Sequence, residues 1–90
     1  MAARDIDIPA DAGAVLIVDL DAIAGNFRLI ADACPGAQVG AAVKANAYGL
    51  GVGPVTRKLA AAGCKTFFVA TPAEGVQLRA SGCSLSLIHI

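Results

Sequence analysis

The sequence predicts a parallel α/β fold, and three observations support that prediction. Four short apolar runs of strand length alternate with three segments of helical spacing, and the connections between them are short. Strands joined by crossover helices specify a parallel sheet. Hydrophobic residues make up 57% of the 90 residues and charged residues only 16%, which is typical of strands covered by helices on both faces.

The first unit is predicted to be a strand over residues 14–18 followed by a helix. The run Ala-Val-Leu-Ile-Val is apolar and rich in β-branched residues. Asp21 is the expected helix N-cap, because its carboxylate can accept the free N–H groups of the first turn. The expected inward face of the helix consists of Ile23, Phe27, Ile30, Ala31 and Cys34. Pro35 and Gly36 are expected to end the helix.

The second unit is predicted to be a strand of small residues over 38–43 and a helix that starts near Pro54. Small side chains in this strand would let a ligand or another group approach closely. Proline is tolerated in the first helical turn, where its missing N–H costs nothing. Val55, Leu59 and Ala62 are spaced as the buried face of this helix.

The third unit is predicted to be a strand over residues 66–70 followed by a helix with a capping box. Thr71 is the expected N-cap and Glu74 follows three residues later, with proline at the first helical position. Ala73, Val76 and Ala80 are the expected inward residues of the helix. Residues 85–90 have the pattern of a fourth strand.

Four parallel strands could form a small open sheet or the first arc of a (β/α)8 barrel. The chain finishes on a strand of buried type with no covering helix, and this favours the arc. The expected fold is therefore the first strands and helices of a TIM-type barrel, truncated. Residues 1–13 are expected to be a leader, and residues 14–90 a partial barrel domain.

Charge and cysteine content exclude several classes of function. Seven basic and seven acidic residues balance, and no basic run exceeds Arg57-Lys58, so a nucleic-acid partner is not expected. The first dozen residues do not resemble a secretory signal, and the longest apolar run is too short to cross a bilayer. A cytoplasmic protein without a membrane partner is expected. Cys34, Cys64 and Cys83 lack disulfide or zinc spacing, so buried thiols and no metal site are expected.

Lys44 is the residue at which the sequence suggests chemistry. It follows the second strand directly, and parallel α/β folds gather reactive groups at the carboxyl ends of strands. A partly desolvated lysine there can form a Schiff base with a carbonyl. Tyr48 offers a hydroxyl for a phosphate, and Gly49 and Gly51 let backbone N–H groups approach the same anion. These residues suggest a site for pyridoxal phosphate. The same pattern would also result if the lysine were a solvated surface residue, the tyrosine a half-buried core residue and the glycines ordinary turn residues.

A family resemblance favours the cofactor interpretation. The stretch Val-Lys-Ala-Asn-Ala-Tyr-Gly-Leu-Gly over residues 43–51 resembles the cofactor-lysine motif of bacterial alanine racemases. Residues 18–23, with Asn26, resemble the opening strand and helix of that family. Residues 67–71, together with residues 74–75 and 78–79, resemble its next βα unit. The resemblance covers about residues 14–82.

The resemblance implies an N-terminal barrel, a C-terminal β domain and interconversion of L- and D-alanine for peptidoglycan synthesis. It implies that Lys44 holds pyridoxal 5'-phosphate and acts as one of two acid/base groups, and that Tyr48 binds the cofactor phosphate. In the family the second group is a tyrosine from the C-terminal domain of the partner subunit, so the full-length parent is expected to be a homodimer. The strand at 14–18 is associated in the family with the C-terminal domain.

Three alternatives remain open from the sequence. A fold-related decarboxylase of basic amino acids uses a similar lysine, a non-catalytic pyridoxal-phosphate carrier is built on a single barrel, and the chain could be a structural fragment without cofactor. Residues 83–90 depart from the family pattern, and His89 is expected to be incidental. The 90 residues alone are expected to be inactive and prone to aggregation, because open barrel strands leave unpaired edges.

Overall fold

A computed structural model describes residues 8–89 and contains a three-stranded parallel sheet. The strands are β1 (Ala41–Ala42), β2 (Thr66–Val69) and β3 (Ser86–His89), and they lie in that order. Ala41 is in register with Phe67, and Phe67 with Leu87. The predicted parallel α/β fold is confirmed.

Four helical segments connect or precede the strands: α1 (Leu20–Ala33), α2 (Lys44–Tyr48), α3 (Val52–Ala61) and α4 (Pro72–Ala80). The first of them, α1, packs against α3, and an ion pair between Asp21 and Lys58 joins the two helices at the surface. The short α2 contacts α3, α4 and β2. It therefore lies where two successive βα units meet.

The core lies between the sheet and the helices. Its buried members are Val43, Ala47, Val55, Leu59, Cys64, Phe67, Val69 and Leu78. The predicted inward positions Val55 and Leu59 of α3 are confirmed. Of the cysteines, Cys64 is buried, and burial raises the pKa of its thiol. Cys34 is exposed, so the expectation that all three thiols are buried was wrong.

The strand predicted over residues 14–18 does not form within residues 8–89. These residues belong to no strand or helix, and Val15, Leu16 and Ile17 are 46%, 75% and 52% exposed. A strand needs a neighbour for its N–H and C=O groups, and residues 8–89 supply none for this segment. Part of the predicted leader, residues 1–7, lies outside the described residues.

The predicted N-cap of α1 was displaced by two residues. Asp19, not Asp21, accepts the Ala22 N–H at 3.0 Å, and the helix begins at Leu20. Both aspartates can cap a helix, and sequence alone could not choose between them. The end of the helix agrees with the prediction, but Ile30 is 53% exposed and Ala24 is the buried residue of this helix.

Two further boundaries differ from the predictions. The strand expected over residues 38–43 pairs only at Ala41–Ala42, and α3 begins at Val52, so that Pro54 lies in its first turn. The last strand covers Ser86–His89. Ile90 and the side chain of His89 lie outside the described residues.

The face that α4 turns to the sheet was predicted wrongly. Val76 is 70% exposed, whereas Leu78 is fully buried. Gly75 lies close to the sheet, because a Cβ built on it would be 3.7 Å from the Val69 side chain. The helix thus packs through a small residue and a leucine rather than through Ala73, Val76 and Ala80.

Gly40 is required by close packing within the sheet. A Cβ at this position would come 2.4 Å from Phe68 Cε2, well below a normal contact distance. The small residues predicted before Lys44 therefore leave room for an aromatic ring of the neighbouring strand. The side chain of Phe68 lies in that space.

Candidate active site

Lys44 lies at the carboxyl end of β1, as the sequence predicted. The Val43 N–H donates to the Phe68 carbonyl at 2.9 Å, and Val43 is 2% exposed. The chain is thus held to β2 up to the residue before the lysine. Lys44 itself is half-buried at this edge.

The backbone after Lys44 forms a left-handed turn. Residues 45–48 have φ values of 52°, 56°, 55° and 56°, the region that L-residues other than glycine and asparagine rarely adopt. The Ala47 N–H donates to the Val43 carbonyl and the Gly49 N–H to the Ala45 carbonyl, each at 2.9 Å. These four-residue bonds close one turn of a left-handed helix, which the sequence did not predict.

Such a turn is costly for the chain. A left-handed conformation costs about 1–2 kcal/mol for each residue that is not glycine, and strained backbone persists only where its surroundings determine it. Ala47 supplies one such constraint, since it is 3% exposed and belongs to the core. Gly49 continues the turn at φ 85°, where its lack of a Cβ removes the strain.

Asn46 ties the turn to the next helix. Its Oδ1 accepts the Val52 N–H at 2.9 Å, and its backbone carbonyl accepts the Gly51 N–H at 3.0 Å. Val52 is the first residue of α3, so the asparagine satisfies one of the free N–H groups at the start of that helix. Asparagine also tolerates the left-handed region better than most residues.

Tyr48 lies at the end of the same turn. Lys44 and Tyr48 are four residues apart, about one helical turn, so the fold brings the two predicted site residues to neighbouring positions. The tyrosine side chain is 62% exposed. The sequence placed it in a loop, and the structure places it in ordered backbone, with its hydroxyl accessible to a ligand.

Glu74 connects the turn to the start of α4. Its Oε2 accepts the Ala45 N–H at 2.8 Å, and its Oε1 accepts the N–H groups of Ala70 at 2.8 Å and Thr71 at 3.3 Å. The Glu74 N–H donates to Thr71 Oγ1 at 3.1 Å, which completes the predicted capping box. Sequence reasoning found the capping box but missed the contact to Ala45, because that contact depends on how two βα units pack.

Electrostatic interactions keep this carboxylate ionised. The N–H groups of Ala45 and Ala70 lower the pKa of the Glu74 carboxyl below its ordinary value, and the positive charge of Lys44 acts in the same direction. Each of these groups stabilises the charged form. The hydrogen bonds to Glu74 therefore persist throughout the neutral pH range.

A cavity of about 410 Å³ lies elsewhere in the molecule. It is lined by α3 and by residues 81–85, next to the amino ends of β2 and β3. Lys44 and Tyr48 do not line it. Because parallel α/β folds place their chemistry at the carboxyl ends of strands, this cavity is not the candidate site.

Two further features are absent from residues 8–89. None of the helices there has the length and apolar character needed to cross a membrane. That part of the chain also has no cluster of three or more His, Cys, Asp or Glu side chains arranged to hold a metal ion.

The fold and the site define the class of this protein. Parallel β/α units that present a lysine at a strand's carboxyl end have the arrangement of a (β/α)8-barrel protein, in which reactive groups lie at that end of the strands. Residues 18–89 match the family described as "Alanine racemase, N-terminal domain". The chain belongs to the alanine racemase N-terminal domain family.

Individual relatives agree with the family match. An alanine racemase of Rickettsia typhi is 50% identical over 64 residues, which cover 71% of this chain and 16% of the relative. A protein of Mesorhizobium japonicum named "Alanine racemase, catabolic" is 47% identical over 70 residues, covering 78% of this chain and 18% of the relative. This chain thus spans less than a fifth of the length of these relatives.

A solved structure agrees as well. The crystal structure of alanine racemase from Bartonella henselae with covalently bound pyridoxal phosphate superimposes with a TM-score of 0.73 at 42% sequence identity. The superposition covers 79% of this chain and 21% of that chain. The barrel predicted from the order of strands and helices is the fold of this relative.

Proposed function

We propose that this chain is the N-terminal part of an alanine racemase, which interconverts L- and D-alanine with pyridoxal phosphate bound to Lys44. The observation that carries the proposal is the position of Lys44. It lies half-buried at the carboxyl end of β1, immediately before an ordered turn that also carries Tyr48. Membership of the family and the covalently bound pyridoxal phosphate of the Bartonella henselae relative support it.

The residues present fit this cofactor. Lys44 provides a primary amine for covalent attachment, and Tyr48, being 62% exposed, presents a hydroxyl that can donate to a phosphate oxygen. Bound pyridoxal phosphate supplies an electron sink that makes the Cα proton of an amino acid removable. The left-handed turn keeps Lys44 and Tyr48 on one stretch of ordered backbone.

Lys44 would act on one face of the substrate Cα. Its amine, when not bonded to the cofactor, accepts the Cα proton and can return it, which is general acid and base catalysis. Racemisation needs a second group on the opposite face. Residues 8–89 contain no tyrosine other than Tyr48, so this second group would come from elsewhere in the full-length protein, as it does in the family from the partner subunit of a homodimer.

We propose the following domain organisation for the full-length protein. Residues 1–13 would be a leader, residues 14–18 would pair with a C-terminal β domain, and the remainder would be the first part of the barrel. The exposed Val15, Leu16 and Ile17 support the pairing, because an apolar extended run is stabilised when it is covered. The 90 residues alone would be inactive. The full-length enzyme would be cytoplasmic and would supply D-alanine to peptidoglycan.

The central test is chemical labelling of the full-length protein. After addition of pyridoxal phosphate and reduction with borohydride, peptide mass spectrometry should find a pyridoxyl adduct on Lys44. An adduct confined to other lysines, or none, would disprove the assignment. A racemisation assay against a panel of amino acids then determines the substrate, and alanine should be the preferred one.

Whether the enzyme supplies D-alanine or takes part in alanine breakdown needs its own test, since one relative is named as catabolic. Deleting the full-length gene should make growth depend on added D-alanine if the enzyme supplies peptidoglycan. Loss of growth on alanine as carbon source, without a requirement for D-alanine, would assign the catabolic role instead.

A further inference from the structure

We propose that Glu74 is a positioning residue for Lys44, whose carboxylate holds the backbone of the left-handed turn in place. The inference rests on the proposed function of Lys44 as the cofactor lysine. It adds a residue 30 positions away in the sequence to the machinery that presents that lysine. The contact runs between the start of α4 and the residue directly after Lys44.

The two carboxylate oxygens of Glu74 serve different parts of the fold. Oε1 accepts the N–H groups of Ala70 and Thr71, which is the capping of α4. Oε2 accepts the Ala45 N–H at 2.8 Å. A capping box requires only that Glu74 accept the Thr71 N–H and that Thr71 Oγ1 accept the Glu74 N–H, so the contact to Ala45 is additional to the helix start.

Ala45 is the position at which the left-handed turn begins. It is the first of four consecutive residues with positive φ. Its N–H lies at the start of a helical turn, where the turn itself offers no acceptor. Strained backbone needs fixed partners outside the segment, and an ionised carboxylate is a stronger acceptor than a neutral group. Glu74 thus fixes the backbone at the residue that follows the reactive lysine.

The carboxylate also lies close enough to Lys44 for the two charges to interact. When the lysine amine is protonated, it therefore has an anionic neighbour on the adjacent βα unit. The same carboxylate that holds the backbone of the turn is therefore itself stabilised by the lysine charge. A neutral side chain at position 74 would lose both effects.

Two single substitutions separate positioning from helix capping. Glu74→Gln keeps the size of the side chain, and glutamine is accepted at this position of a capping box. Two N–H groups face Oε1 and one faces Oε2, so the amide oxygen should remain on the capping side and the NH₂ group should face Ala45. Thr71→Ala is the matched control, because it removes the capping hydroxyl and leaves the contact to Ala45.

The experiment compares wild type, Glu74→Gln and Thr71→Ala in the full-length protein. Glu74→Gln should lower kcat by about 10- to 100-fold, the size of effect known for residues that orient a metal ligand. It should also change the absorption spectrum of the bound cofactor and speed amide hydrogen exchange in a peptide covering residues 43–51. Thr71→Ala should lower Tm and leave kcat, the spectrum and that peptide unchanged.

Glu74→Asp is a second variant that keeps the charge. Its side chain is one methylene shorter and cannot reach both α4 and Ala45, so it should accelerate exchange in residues 43–51 as Glu74→Gln does. If amide exchange in residues 43–51 and kcat were the same in both Glu74 variants as in the wild type, the positioning role would be overturned. Failure of the wild-type protein to form the Lys44 adduct would instead overturn the proposed function, and the exchange comparison in cofactor-free protein would still decide the role of Glu74.

Discussion

The starts of α2 and α4 follow neighbouring parallel strands, yet they are determined in different ways. The start of α4 is local: Thr71 and Glu74 cap each other three residues apart, and proline occupies the first helical position. The α2 turn is determined by residues outside it: by Val52 six residues after Asn46, and by Phe68 and Glu74 of the next βα unit. Local capping builds a helix of ordinary backbone, whereas the distant contacts hold a conformation that its own residues disfavour.

Because of this difference, substitutions at the two helix starts should have different effects, although both lie at the same edge of the sheet. Residues that cap α4 should affect folding when they are changed. Residues that hold α2 should affect the position of Lys44 as well. The following substitutions, made in the full-length protein, test that distinction in order of expected effect.

The largest effect is expected for Lys44→Arg. Arginine keeps the positive charge but does not become the free amine that the proposed reaction needs, so kcat should fall by about 10²- to 10⁴-fold, as for loss of a general acid or base. The pyridoxyl adduct should disappear while Tm stays near the wild-type value. Lys65→Arg, at an exposed position before β2, is the control and should retain activity.

A smaller effect, on stability, is expected for Gly49→Val. Valine at φ 85° should cost about 1–2 kcal/mol of unfolding free energy, measured by urea denaturation. The matched control is Gly25→Ala in α1, where a Cβ would meet nothing within 4 Å. Alanine there should stabilise by about 0.5–1 kcal/mol. Equal destabilisation by both variants would contradict the assigned turn geometry.

Asn46→Ala and Thr71→Ala are expected to cost similar stability but to differ in activity. Each removes a side-chain acceptor from a helix N-terminus, which costs about 1 kcal/mol. Asn46 also lies within the turn that presents Lys44, so its replacement should lower kcat as well. A parallel measurement of denaturation midpoint and kcat checks this, and identical kcat values would show that the turn does not position the lysine.

The smallest expected effect is on the pH dependence of stability, through the ionisation of Glu74. The folded pKa of Glu74 is lowered from the ordinary value of 4.5, so its contribution to stability is present above that value and is lost as pH falls through the folded pKa. Wild type should therefore lose stability below about pH 4.5 more steeply than Glu74→Gln does. The measurement is Tm against pH, and parallel curves would show that Glu74 is not held ionised by the fold.

The sequence predicted those features whose causes lie within a few residues. The capping box of α4, the strand at β2 and the buried residues Val55 and Leu59 were all found from local patterns. The position of Lys44 after a strand was also predicted correctly. Its role remains a prediction that the labelling experiment tests, and the role of Tyr48 as a phosphate ligand also remains a prediction.

The missed features depend on contacts between distant residues. No local pattern predicts four positive φ values in Ala-Asn-Ala-Tyr, although Asn46 and Gly49 both tolerate them. The strand predicted over residues 14–18 lacks a partner within residues 8–89, and the inward face of α4 is set by the fit of Gly75 against Val69. Periodicity identifies an element, but its packing partner decides its final conformation.

The hydrogen bond between Ala45 and Glu74 also sets an order of events during synthesis, because 29 residues separate its two ends. A ribosome adds about 5–20 residues per second, so Lys44 precedes its distant carboxylate by roughly 1.5–6 seconds. During that interval the nascent turn lacks the contact that holds Ala45. The hydrogen bond that holds the reactive end of β1 to the next βα unit therefore forms only after that unit has been made.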